Sequence, residues 1–124
     1  MNDADLPVLD ESVLDELGAS VGGDRDFVVD LIEAYLADGG QQVAQVEAAV
    51  SGTDTDALVR PAHTLKSSSA TVGASRLAAM ARELEFAGRE GRVDDAQPSH
   101  AAALRAEWEA ASAALREWTS RSGA

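Results

Sequence analysis

The sequence predicts an all-α fold: an up-and-down antiparallel four-helix bundle with a short extra N-terminal helix. Apolar residues recur at steps of three and four along most of the chain, and no stretch shows the two-residue alternation of a half-buried strand. The breaks between the helical stretches are short, which favours antiparallel neighbours. At 124 residues, the chain has the size of one domain with one hydrophobic core. We therefore predict a single helical domain over residues 1–124, with its core between about residues 10 and 120.

The first predicted helix is short and the second is long. Asp10 is a favourable N-cap for ESVLDELGAS, and the glycines of VGGD end that helix. In the next stretch, residues 24–50, Gly39 and Gly40 interrupt an amphipathic pattern. This stretch is therefore either one long helix bent at the glycines or two nearly collinear helices. Its predicted core stripe consists of Phe27, Val28, Leu31, Ile32, Tyr35 and Leu36.

The third predicted helix contains a proline. Thr53 and Asp54 are suitable caps for this helix, which runs to about Val72. Pro61 lies inside it, where the missing backbone donor costs about 3 kcal/mol or more unless the helix kinks. The orientation of His63 therefore depends on how the helix accommodates this proline.

Two more helices complete the predicted bundle. Ser75 starts the fourth helix, which ends at Gly91, and Pro98 is placed in the first turn of the last helix. The buried stripe of the fourth helix is predicted to contain Leu77, Met80, Ala81, Leu84 and Gly88. Alternating steps of four and three in the last helix predict one continuous core-facing seam, formed by Leu104, Trp108, Ala111, Leu115 and Trp118.

The composition excludes several partners and locations. A formal net charge of −12 repels the phosphates of nucleic acids and anionic lipid headgroups, so neither is predicted as a partner. No apolar run approaches the roughly 20 residues of a membrane-spanning helix, so no membrane insertion is expected. The N-terminal MNDADLPVLD lacks the basic and apolar regions of a secretory signal, and the chain has no cysteine. We predict a cytoplasmic protein that is a monomer, because its longest apolar seams are needed internally.

The stretch AHTLKSSSATVGA, residues 62–74, combines residue types that suit phosphoryl chemistry. On a helix, His63 shares a face with Lys66, Ser67 and Ala70. The opposite face carries Leu58, Ala62, Leu65, Ser69 and Val72, which are expected in the core. His63 is therefore predicted to face solvent, where its imidazole lone pair can attack phosphorus and form a phosphoramidate. The ammonium of Lys66 would stabilise the incoming negative charge.

Small side chains beside His63 predict access for another protein. Ser67 and Ala70, together with Val59 on the near edge, leave the imidazole uncovered and are predicted to form a docking surface. Ser69 points toward the core, where a small residue lets helices pack closely.

The residues of this motif resemble the histidine-containing phosphotransfer domains of bacterial phosphorelays. That family's signature, AHxLKSSSxxxGA followed by LxxxxxxLE, is matched from Ala62 to Ala74 and again from Leu77 to Glu85. The resemblance implies that His63 accepts a phosphoryl group from the aspartyl phosphate of one receiver domain and passes it to another. It implies that Lys66 supports the phosphoryl group, and that Ser67 and Gly73 provide close approach and tight packing.

The same resemblance carries expectations about partners and cofactors. It implies that the partners are receiver domains of response regulators or hybrid histidine kinases. Because Mg²⁺ and the acidic pocket belong to the receiver, no intrinsic cofactor or metal is expected in this chain. No ATP-binding sequence is present, so we predict a phosphoryl carrier without autonomous ATP-dependent kinase activity.

Glu85 is the candidate for orienting the imidazole. In the resembling family this position often holds Gln or Glu, and antiparallel helices can bring it beside His63. A carboxylate there would accept the Nδ1–H hydrogen bond and leave the Nε2 lone pair as the nucleophile. The alternative is an ordinary surface ion pair of Glu85 with Arg89 or Arg82.

Other classes of function stay open at this point. A helical interaction or scaffold module would bind a receiver or kinase without phosphotransfer, but such a protein does not need the intact His63. A third interpretation keeps the chemistry and treats the chain as the phosphorylatable segment of a larger kinase. A metal-dependent hydrolase is disfavoured, because His63 and His100 are 37 positions apart and form no ligand motif. We interpret His100 as a surface residue.

Overall fold

The computed structural model describes residues 5–121, apart from the side chains of residues 93–98. This part of the chain forms five α-helices and no strand. The helices are α1 (Glu11–Ser20), α2 (Arg25–Ser51), α3 (Thr55–Thr71), α4 (Ser75–Arg89) and α5 (Val93–Arg121). Helices α2 to α5 each pack against two neighbours around one core, in the order α2, α3, α4, α5 and back to α2, and α1 packs on α2. The predicted bundle with an extra N-terminal helix is confirmed.

Aspartate caps begin the first three helices. The carboxylates of Asp10, Asp24 and Asp54 accept hydrogen bonds from backbone N–H groups of the first turns of α1, α2 and α3, at 3.1, 3.1 and 3.0 Å. Each cap satisfies a donor that has no partner within the helix. The predicted starts of these helices are therefore confirmed.

Helix α4 begins without a side-chain cap and is capped by the N-terminal segment instead. The backbone N–H of Arg76 donates to the carbonyl oxygen of Pro7 at 3.1 Å, and Nε of Arg76 donates to that of Leu6 at 3.0 Å. The N–H of Asp10 donates to the carbonyl oxygen of Gly73 at 2.7 Å. Gly73 has a φ of +82°, and a Cβ there would lie 2.5 Å from the carbonyl oxygen of Asp10. Glycine is thus required where this segment meets the turn between α3 and α4.

Helix α2 is one continuous helix across Gly39 and Gly40, which settles the alternative that the sequence left open. The reason for the first glycine is Trp108 of α5, because a Cβ at residue 39 would lie 2.5 Å from Cζ3 of the indole ring. Tyr35, one turn earlier, meets the same ring edge-on with a centroid separation of 5.4 Å. Gly39 therefore leaves room for the Trp108 ring in the α2–α5 interface.

Three details differ from the sequence predictions. Phe27 is 45% exposed, because the buried stripe of α2 is centred on Val28 and Ile32 and leaves Phe27 at its edge in the first turn. Helix α5 starts at Val93, directly after the turn at Gly91, so the placement of Pro98 in its first turn was wrong. The side chain of Pro98 lies outside the described residues. Three members of the predicted stripes, Met80 of α4 and Leu31 and Leu36 of α2, are only partly buried.

The remaining core predictions hold. The other four members of the α4 stripe and all five residues of the α5 seam are buried. Helix α3 runs through Pro61 without a break. No helix in the described part of the chain has the length and apolar character needed to cross a lipid bilayer.

Replacing Gly39 by alanine is expected to destabilise the bundle, whereas Gly40→Ala is expected to stabilise it. Both changes raise helix propensity by up to about 1 kcal/mol. Only the methyl group at residue 39 enters the space of the Trp108 ring, and overpacking of this kind costs roughly 1–3 kcal/mol. A methyl group at residue 40 would lie 3.9 Å from the nearest atom of the ring, which is an ordinary contact. Urea unfolding of the two variants measures the difference, and a Gly39→Ala protein as stable as Gly40→Ala would contradict this account of the packing.

Candidate functional site

Helix α3 presents His63 to solvent. The side chain of His63 is 52% exposed, whereas Ala62 and Leu65 on the opposite face are fully buried. Burial of the apolar face against the rest of the bundle thus fixes the rotation of α3 about its axis. This rotation also brings Lys66, one turn after His63, to the side that faces α4.

Glu85 of α4 reaches the imidazole from the neighbouring helix. Its Oε2 lies 2.9 Å from Nδ1 of His63, and its Oε1 lies 2.7 Å from Nζ of Lys66. Arg89, one turn later on α4, donates to Oε2 from Nε at 3.0 Å and from Nη2 at 2.8 Å. Three side chains from two helices therefore converge on one carboxylate. We name these four residues, His63, Lys66, Glu85 and Arg89, the Glu85 cluster.

The carboxylate of Glu85 is buried and charged. Only 7% of its side chain is exposed. Burial raises the pKa of this carboxyl group, but hydrogen bonds from Lys66, Arg89 and His63 and the charge of Lys66 outweigh burial and lower the pKa from 4.5 to about 2. Glu85 is therefore ionised at any pH near neutrality.

This ionisation determines which nitrogen of His63 carries the hydrogen. An ionised carboxylate only accepts hydrogen bonds, so Nδ1 of His63 donates to Oε2 of Glu85. In a neutral imidazole the lone pair then lies on Nε2. Within the described part of the chain, no side chain forms a hydrogen bond with Nε2. The nitrogen with the lone pair is thus the one that the protein leaves unoccupied.

The Glu85 cluster has an excess of positive charge. Lys66 and Arg89 both contact the single carboxylate, which leaves one net positive charge beside the imidazole. The side chain of Arg89 is 57% exposed, so part of this charge faces solvent. An anionic group that approached Nε2 of His63 would meet a favourable potential.

The predicted docking residues surround His63. Ser67 and Ala70 are exposed on the same side of α3, and Val59 is half-buried beside α4. A Cβ at Gly88 of α4 would lie 3.0 Å from Cγ2 of Val59, so this glycine allows α3 and α4 to pack closely next to the site. The structure thus brings together all the residues that the sequence assigned to phosphotransfer and docking.

Ser69 has a partner that the sequence did not reveal. Its buried hydroxyl lies 2.7 Å from the hydroxyl of Tyr35, which joins α3 to α2 behind the site. Burial raises the pKa of Tyr35 to about 12, although the hydrogen bond with Ser69 acts in the opposite direction. Helical periodicity indicates that both residues are buried, but carries no signal that they meet.

The structure combines two interpretations of Glu85 that the sequence treated as alternatives. Glu85 pairs with Arg89 and also contacts His63, and it is buried rather than at the surface. Arg82 forms no ion pair with it. The spacing of four residues was a signal for the contact with Arg89, whereas nothing local in the sequence indicated that Glu85 is buried.

A separate groove of about 480 Å³ between α4 and α5 does not include His63. Its lining includes Met80, Arg82, Phe86, His100 and Ala103. His100 is exposed there, in agreement with its interpretation as a surface residue. Across the described residues, no group of three or more His, Cys, Asp or Glu side chains is arranged to hold a metal ion.

Comparisons with known proteins agree on one family. The family model of the Hpt domain matches residues 30–118. Histidine-containing phosphotransfer protein B (HptB) from Pseudomonas aeruginosa PAO1 is 27% identical, with a TM-score of 0.82 over 93% of this chain and 96% of that chain. The HPT domain from the Hpt sensor hybrid histidine kinase from Shewanella shares the fold, with 18% identity and a TM-score of 0.73 over 87% of this chain and 92% of that chain. A search of curated proteins gave no significant match.

The matched range contains both helices of the Glu85 cluster and most of α2 and α5. Motif, bundle and family match therefore concern the same part of the molecule. The chain belongs to the family of Hpt domains, the histidine phosphotransfer domains that carry phosphoryl groups in phosphorelays and interact with receiver domains.

Proposed function

We propose that this chain is a phosphorelay intermediate: His63 accepts a phosphoryl group from the aspartyl phosphate of one receiver domain and passes it to another receiver domain. The observation that carries this proposal is the hydrogen bond from Nδ1 of His63 to the ionised Glu85. It leaves the lone pair on Nε2, on an imidazole that is half-exposed. A nucleophile needs an available lone pair on an accessible atom, and Nε2 meets both conditions.

In the proposed step, Nε2 of His63 attacks the phosphorus of the aspartyl phosphate. The N–P bond forms as the P–O bond of the acyl phosphate breaks, and the electron pair of that bond leaves with the aspartate carboxylate of the receiver. Nδ1 keeps its hydrogen bond to Glu85, whose negative charge compensates the positive charge that the imidazole acquires. In the return step, an aspartate of the second receiver attacks phosphorus and Nε2 regains its lone pair.

Lys66 and Arg89 are proposed to stabilise the oxygens of the transferring phosphoryl group. Phosphoryl transfer depends mainly on positioning and on electrostatic stabilisation, because negative charge is spread over these oxygens. The ammonium of Lys66 has three donors and is bound to Oε1 of Glu85 at 2.7 Å, so donors remain for a phosphoryl oxygen. The carboxylate thus holds the ammonium in place without occupying all of its donors.

We propose that the receiver supplies the phosphoryl group and the metal ion. The phosphoryl group arrives on the receiver, so the chain needs no ATP site, and we propose that it has no kinase activity of its own. Mg²⁺ is assigned to the receiver, with no cofactor in this chain. The small or apolar surface of Val59, Ser67 and Ala70 allows the receiver to reach Nε2 of His63.

His63→Gln is expected to abolish labelling of this chain by phosphorylated receiver domains from the same organism. Glutamine has no imidazole lone pair and forms no phosphoramidate. His100→Gln is the matched control and is expected to keep the normal rate, because His100 lies in the separate groove. The label should be acid-labile and base-stable. Normal labelling of His63→Gln would overturn the proposed function and favour a scaffold that binds receivers without phosphotransfer.

Replacement of Glu85 is expected to slow phosphorylation of His63 modestly, with Glu85→Ala slower than Glu85→Gln. Glutamine keeps an oxygen that accepts the Nδ1–H bond, whereas alanine removes the acceptor. Nitrogen NMR of labelled histidine measures the tautomer directly. An Nδ1–H population that stays the same in Glu85→Ala would contradict the positioning role.

The acid stability of the fold provides a second readout for Glu85. Because folding lowers its pKa, ionised Glu85 stabilises the folded state above the ordinary pKa of 4.5, and this contribution is lost as the pH falls toward about 2. At about 1.4 kcal/mol for each pH unit, the loss is on the order of 3 kcal/mol. The free energy of unfolding should therefore fall more between about pH 5 and pH 2.5 in the wild type than in Glu85→Gln. Equal decreases would contradict the low pKa.

Lys66→Ala is expected to slow transfer roughly tenfold to a hundredfold, because one donor to the transferring group is lost. Arg121→Ala is the matched control, since it removes one positive charge from an exposed ion pair with Glu11. Transfer rates are compared at the same receiver concentration, and circular dichroism verifies that both variants fold. Equal rates for Lys66→Ala and Arg121→Ala would rule out a role of the ammonium in transfer.

A further inference from the structure

The positive charge of this chain is concentrated on the two helices that form the candidate site. Residues 55–92 contain six of the ten basic residues and four of the 22 acidic residues, which gives a net charge of +2. The rest of the chain contains four basic and eighteen acidic residues, a net charge of −14. Helices α3 and α4, which lie side by side, are therefore a positive region on a strongly acidic molecule.

Two arginines of this region have no acidic partner. Arg60 lies one turn before His63 on α3, and Arg82 lies one turn before Glu85 on α4. Both side chains are exposed, and within the described residues neither forms an ion pair or a hydrogen bond. The other basic residues of α3 and α4 are already bound: Lys66 and Arg89 to Glu85, and Arg76 to Glu107.

The two arginines lie on opposite sides of the α3–α4 pair that holds the imidazole. At about 100° per residue, Arg60 lies about 60° around the axis of α3 from His63, on the side that faces away from α4. Arg82 lies on α4 in the same helical row as Arg89, and it lines the groove between α4 and α5. A partner that covers His63 and spans the outer surfaces of α3 and α4 therefore meets one unpaired guanidinium group on each helix.

We propose that Arg60 and Arg82 form an electrostatic docking site for an acidic receiver surface around the aspartyl phosphate. This inference rests on the proposed function and extends it to the way in which the partner is oriented. The aspartyl phosphate and the carboxylate left after transfer are both anionic, so the partner's reacting face is negative by its own chemistry. Guanidinium groups suit this surface because they donate in pairs to carboxylates and phosphates.

The charge of the rest of the chain contributes to the same orientation. With a net charge of −14 outside residues 55–92, the remaining surface repels an acidic partner. Attraction at the two arginines and repulsion elsewhere favour encounters in which the receiver faces His63. Arg60 and Arg82 thus act on association, while the Glu85 cluster acts on the chemical step.

The test compares three charge reversals that change the net charge equally: Arg60→Glu, Arg82→Glu and Arg116→Glu. Arg116 is an exposed arginine of α5, and it forms no ion pair with any residue that the structure describes. It lies two positions before Trp118, whose ring contacts Arg25 at the start of α2. The probe is the phosphorylated receiver domain that labels His63 fastest. We expect Arg60→Glu and Arg82→Glu to lower the second-order rate constant roughly tenfold at low salt, since electrostatic steering contributes about 10- to 1000-fold. Arg116→Glu should stay within about twofold, and high salt should reduce the differences.

Phosphoramidate provides the second readout, because this small phosphoryl donor reaches His63 without a docking surface. Its rate of labelling should be the same in all three variants. Suppose that the phosphorylated receiver labels Arg60→Glu and Arg82→Glu as fast as Arg116→Glu, and that phosphoramidate labels His63. This result would contradict the docking site and leave the proposed function intact. An equal loss with both donors would assign the arginines to the chemical step and also overturn docking. A wild-type protein labelled by neither donor would overturn the proposed function itself.

Discussion

A buried carboxylate between α3 and α4 is the constraint on which the rest of the site depends. Removing an ionised carboxylate from water costs several kcal/mol unless charges and hydrogen bonds compensate for the lost hydration. At Glu85 this compensation comes from Lys66 on one oxygen, and from Arg89 and His63 on the other. The need to satisfy one acid therefore fixes the ammonium, the guanidinium and the imidazole together. The arrangement of these three side chains around one carboxylate is the consequence of its burial.

The parts of the fold that neighbouring residues determine could be predicted from the sequence. Asp10, Asp24 and Asp54 begin helices because each carboxylate reaches an N–H group two or three residues away. Contacts between distant residues could not be predicted. The close packing of α2 against α5 depends on Gly39 and on Trp108, which is 69 positions later in the chain. Periodicity alone marked the glycine as an interruption, because it carries no information about the distant ring that fills the space of the missing Cβ.

The same distinction between local determinants and contacts of distant residues applies to the candidate site. That His63 and Lys66 lie on the outer face of α3 follows from helical periodicity, which places the apolar residues in the core. The contact with Glu85 depends on the register of α4 against α3, and this register is set by tertiary packing such as that of Gly88 on Val59. The family resemblance suggested the contact, but the burial of Glu85 and its simultaneous pairing with Arg89 required the structure.

The hydrogen bonds from Arg76 of α4 to the N-terminal segment lie partly outside the family match. The family match begins at residue 30, yet Leu6 and Pro7 accept hydrogen bonds from Arg76 in the first turn of α4. That helix has no side-chain cap of its own and carries Glu85. Residues outside the recognisable part of the family therefore anchor the helix that holds the carboxylate. Excision or fusion of the domain at the limits of the family match would therefore remove two hydrogen bonds from the first turn of α4.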